Sequence, residues 1–128
     1  MKLIKFHDPV YKVMYIIFYG VPGKRMAEWS EKMHIQIEPE HWKNAGLSAA
    51  LEGKDTYDVH MVWTSTKDLG CLMHEVIHAA MTVLKDRGVD VVNSEDSLTY
   101  YAEWIFNKVL EKNKHKVIEE VVVKTKRR

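Results

Sequence analysis

The sequence predicts an α+β fold: a small twisted sheet packed against two or three helices, with the helix that carries "HEVIH" at the centre. Three observations predict it. Segments 11–19 and 57–66 are rich in β-branched and aromatic residues, and the second alternates in hydrophobicity. Segments 67–86 and 95–112 repeat their apolar residues every three to four positions. The chain has 128 residues, 46% of them hydrophobic and 29% charged, which suits one globular domain with a real core and not two. That domain spans 1–123, and Lys124, Lys126, Arg127 and Arg128 make a solvated basic tail at 124–128.

Each element has its own warrant. Residues 2–6 read as a short strand broken by His7, Asp8 and Pro9. Residues 11–19 read as a buried strand; their apolar run is too short for a transmembrane helix. No small-residue cleavage site precedes Gly20, so a signal peptide is not expected and the protein is expected in the cytoplasm. "GVPG" is a turn. Residues 24–34 read as a helix with Met26, Trp29 and Met33 on one stripe. "IEPEHWKNAG" predicts an irregular connection with room for one helical turn, and "LSAALEGKD" favours no element. In 57–66, Tyr57, Val59, Met61 and Trp63 share one face of a strand, and Asp58, His60, Val62 and Thr64 the other.

The helix over 67–86 follows Ser65 and Asp68, which have the spacing of a capping box with Asp in place of Glu. Its apolar stripe is Leu69, Leu72, Met73, Val76, Ile77, Ala80 and Leu84, and Gly88 stands where a terminating glycine belongs. Asn93 or Ser94 caps the helix over 95–112, which buries Leu98, Tyr101, Ala102, Ile105, Phe106 and Val109. "KVIEEVVVK" reads as a final strand or an extended arm.

Composition excludes several classes. Nineteen basic residues nearly cancel eighteen acidic ones, leaving +1, so no field draws the chain to nucleic acid or an anionic membrane. Cys71 stands alone, which rules out an internal disulfide, fits a reducing compartment and reads as a buried structural thiol. There is no glycine-rich phosphate loop, CxxC pair or nucleophile elbow. His34, His41 and His115 read as isolated surface residues, and Trp29, Trp42, Trp63 and Trp104 as core.

One constellation carries chemistry. His74 and His78 stand four residues apart on a helix, so both rings project from one face and two nitrogens can reach one metal ion. Zinc suits imidazole ligands. Glu75 lies beside that ion and can take a proton from a water that the metal has acidified.

The order of strand, "HEVIH" helix and second helix resembles the minimal active-site unit of the zincins, the HExxH metallopeptidases. "DSLTYYAEWI" looks like the second helix of small single-domain zincin-like proteins, phage-encoded ones included. The likeness covers about residues 57–110, and the first 50 residues match nothing. It implies one zinc ion on His74 and His78, with Glu75 catalytic. It implies a third ligand from the second helix: matching Tyr100 and Trp104 puts that ligand at Asp96, with Glu95 and then Glu103 as alternatives. It casts 57–66 as the edge strand that receives an extended substrate. Tyr100, Tyr101 and His60 are available to stabilise an oxyanion, though packing accounts for each. The expected activity is hydrolysis of a peptide bond in a peptide or protein substrate. The alternative is an inactive zincin-like binding protein that modulates a protein target, and a purely structural zinc is a weaker third reading.

Overall fold

A computed structural model describes residues 3–51 and 58–126, with side chains described to residue 113. Tyr57, the start of the first predicted strand, the side chains of His115, Lys124 and Lys126, and the last two arginines lie outside the described residues. The fold is α+β, a four-stranded mixed sheet with helices on both faces.

β1 (Ile4–Asp8) and β2 (Val13–Tyr19) form an antiparallel hairpin. His7 and Asp8 continue β1 instead of breaking it, because Asp8 Oδ1 turns the chain by accepting from Val10 N at 2.8 Å and Tyr11 N at 3.2 Å. α1 (Gly23–Lys32) covers one face with Met26 and Ser30, whereas Met33 is 55% exposed because the helix ends before it. A 3-10 turn (Pro39–Lys43) buries Trp42, and β3 (Gly46–Leu51) follows. β4 (Asp58–Thr64) pairs parallel with β2 and antiparallel with β3, giving the order β1-β2-β4-β3. β4 is therefore interior, with partners on both sides, and it does not have the edge position expected of it.

Both faces of β4 are buried as well. Met61 and Trp63 pack with Phe18, Met26 and Trp42 beneath α1. Val62 packs on the other side with β1, β2, α2 (Leu69–Asp86) and α3 (Glu95–Lys126). Alternation here separates two cores, not core from water. α2 turns Leu72, Val76, Ala79, Ala80, Val83 and Leu84 inward. Leu69 and Ile77 from the predicted stripe are 53% and 38% exposed, so the buried face lies slightly further round the helix. The cap is Asp68 itself, whose Oδ1 accepts from Gly70 N at 2.7 Å, and not a box with Ser65. At the other end Gly88 has φ +78°, Gly88 N donates to Lys85 O and Val89 N to Leu84 O: a Schellman close, as the glycine predicts.

α3 follows in a hairpin. Arg87 at the end of α2 donates to Tyr11 O, and Tyr101 near the start of α3 packs edge-on against Tyr11. One turn later Trp104 meets Phe6, the partner of Tyr15 in register. α3 thus climbs the sheet antiparallel to α2. Its backbone stays helical to Lys126, so "KVIEEVVVK" forms neither strand nor extended arm; nothing in the strand-like valines breaks a helix already nucleated. Among the described residues, no helix is long and apolar enough to cross a membrane.

Candidate functional site

With Val76, Ala79 and Ala80 held against the sheet, the helical period sends positions 74 and 78 outward, and both histidines are exposed. Their backbones are about 6 Å apart along the axis. The rings nevertheless converge: His74 Nε2 and His78 Nε2 stand 3.2 Å apart, with ring planes at 78°. Two nitrogens at 2.0–2.1 Å from one tetrahedral zinc would stand about 3.3 Å apart. The donor pair therefore fits the ion the sequence implies. The same contact is a hydrogen bond when one nitrogen is protonated, and a cation can replace that shared proton.

Glu75 sits on the flank of α2 that faces β3, half-buried. A β-carbon on Gly46 would fall 3.0 Å from both Glu75 Cγ and Glu75 Oε2, and 2.7 Å from Trp63 O. Glycine is what lets the strand come this close. Burial raises the Glu75 carboxyl above its ordinary value, while His74 and His78 pull it back down. A carboxylate poised upward in this way both accepts and returns a proton more readily near neutrality.

Beside this pair opens a cavity of about 520 Å³, bounded by Asn44, Gly46, Asp68, Gly70, Cys71 and Glu75. Cys71, half-buried, thus lines a cavity rather than sitting in the core. The acids from α3 stand elsewhere. Glu95 and Asp96 are exposed in its first turn, and Glu103 is exposed two turns on. Among the described residues no three His, Cys, Asp or Glu side chains gather around a common point. The oxyanion candidates are engaged away from the histidines or open to solvent. Tyr101 donates to Asp8 Oδ2 at 2.8 Å and meets Tyr15 Oη at 2.6 Å, and His60 Nε2 lies 2.7 Å from Ser48 Oγ. Tyr100 is 70% exposed.

Gly46 and Asp68 are functional candidates that sequence reasoning missed. The Asp-Leu-Gly start of α2 is a cap signal that could have found Asp68. Nothing local marks Gly46, because its role comes from an approach to residues 63 and 75. No protein-family model, curated protein or solved structure matches the chain.

Proposed function

We propose that the protein is a small zinc-dependent, zincin-like metallopeptidase that hydrolyses a peptide bond. His74 and His78 would hold the metal and α3 would lend the third ligand. The observation that carries this reading is the 3.2 Å convergence of the two Nε2 atoms. Zinc bound there supplies Lewis acidity and an acidified water. Glu75 removes a proton from the attacking water and delivers it to the leaving amine, which its raised pKa suits. β3, not β4, takes the part of the substrate strand: its outer edge has no partner strand among the described residues, and Gly46 sets its backbone against Glu75. An extended peptide pairing with that edge brings its carbonyl groups level with the base.

A second reading has an observation of its own. No third ligand gathers with the histidines among the described residues, which favours a zincin-like scaffold that binds a protein target without cleaving it. Two measurements separate the readings. Purified protein is expected to carry about one equivalent of zinc, and His74→Ala to lose it, because a single imidazole leaves too few ligands. Glu75→Gln is expected to keep the zinc and lose peptide hydrolysis by 100-fold or more, the order that general-base catalysis contributes. Zinc in the wild type with no hydrolysis of any peptide leaves the binding scaffold. No zinc in the presence of excess metal removes the metallopeptidase and leaves the binding scaffold in front.

A further inference from the structure

We infer that the cavity beside Glu75 is a specificity pocket for a basic side chain, so that the substrate carries lysine or arginine next to the bond that is cut. This deepens the metallopeptidase reading and rests on it. The cavity of about 520 Å³ has room for the longest side chains. Its floor and walls are small, with Ala45, Gly46 and Gly70, so an aliphatic stem can lie along them. Its polar groups are Asn44, Asp68 and the site's own His74 and Glu75, and neither lysine nor arginine is among its lining residues. The amino end of α2 opens here and by itself would favour an anion. Asp68 reverses that preference: Oδ1 closes on Gly70 N at 2.7 Å, and Oδ2 has no hydrogen bond among the described residues. With Glu75 committed to proton transfer, Asp68 is the charge left to meet an ammonium or guanidinium head.

The test uses the zinc-loaded full chain and a set of quenched fluorescent peptides in which each position in turn is lysine, norleucine or glutamate. One position flanking the cut is expected to rank lysine first and glutamate last. Asp68→Asn preserves the helix cap, since Asn caps as well as Asp. It should lower the lysine-to-norleucine ratio of kcat/KM about three- to fivefold, the effect of one exposed ion pair. Hydrolysis with no preference for lysine at any position, or an unchanged ratio in the variant, overturns the pocket and leaves the peptidase standing. If no peptide is cut by zinc-loaded wild type, the peptidase reading fails and the pocket fails with it.

Discussion

His60 shows what burial does to one side chain. It is 3% exposed in β4, beside Tyr15 and 2.7 Å from Ser48 Oγ. Desolvation pushes its pKa down to about 4, and Asp86 pulls weakly the other way. The unfolded chain gains the proton near pH 6.5 and the folded chain not until about pH 4. Between those values the unfolded state holds more protons, so stability is lost as pH falls through the window, up to about 3 kcal/mol in all. Urea midpoints at pH 7 and pH 4.5 measure the loss. His60→Gln keeps a donor for Ser48 and should flatten it; a variant that weakens just as steeply would assign the acid sensitivity elsewhere. Glu75 obeys the opposite sign: its raised pKa means that ionisation at neutral pH costs stability.

Legibility differs from element to element for physical reasons. β2, β4, α2 and α3 could be read because long apolar runs impose a period, and the His74–His78 pair could be read because helical spacing alone brings the two rings together. β3 could not. "GLSAAL" offers small side chains with little strand preference, and it becomes a strand by pairing with β4 from Gly46 opposite Thr64 to Leu51 opposite Val59. The carboxyl-terminal valines failed in the other direction, where helix continuation overrode local β preference. That β3 is set by contact and not by composition gives a test. An alanine methyl at Gly46 would meet the Trp63 carbonyl, which is backbone and cannot step aside. Gly46→Ala should cost about 1–3 kcal/mol in urea denaturation, as overpacking does. On the metallopeptidase reading it should also weaken hydrolysis, because β3 moves away from Glu75. Unchanged stability would mean that Gly46 lies further from the Trp63 carbonyl of β4 than the structure has it.

Across the whole molecule, the α2–α3 hairpin decides which acid can complete the site. His78 lies eight residues before the end of α2 at Asp86, and Glu103 lies eight residues after the start of α3 at Glu95. Equal spans do not make the two level: Arg87 and Tyr101 both contact Tyr11, so Glu103 stands beside the last turn of α2, about 10 Å short of His78 along the axis. Asp96 and Glu95, which the resemblance ranks first and second, stand about 10–12 Å lower still along the axis. Glu103 also shares its outward orientation with the histidines, since Tyr101, Ala102 and Ile105 take the inward face of α3. Of the three acids Glu103 thus stands nearest the histidines, so on the metallopeptidase reading a third ligand drawn from α3 is expected to be Glu103, with α3 moving along α2 to bring it in. Zinc competition titrations with a chelator decide between the acids. Glu103→Gln should weaken zinc binding by at least about 100-fold, the upper end of what losing an outer-sphere partner costs. Asp96→Asn should leave affinity within a few-fold of wild type. The reverse result would require α3 to move about two turns further still from the contacts of Tyr101 with Tyr11 and Trp104 with Phe6, and would remove Glu103 from the site; no loss in either variant would take the third ligand away from α3.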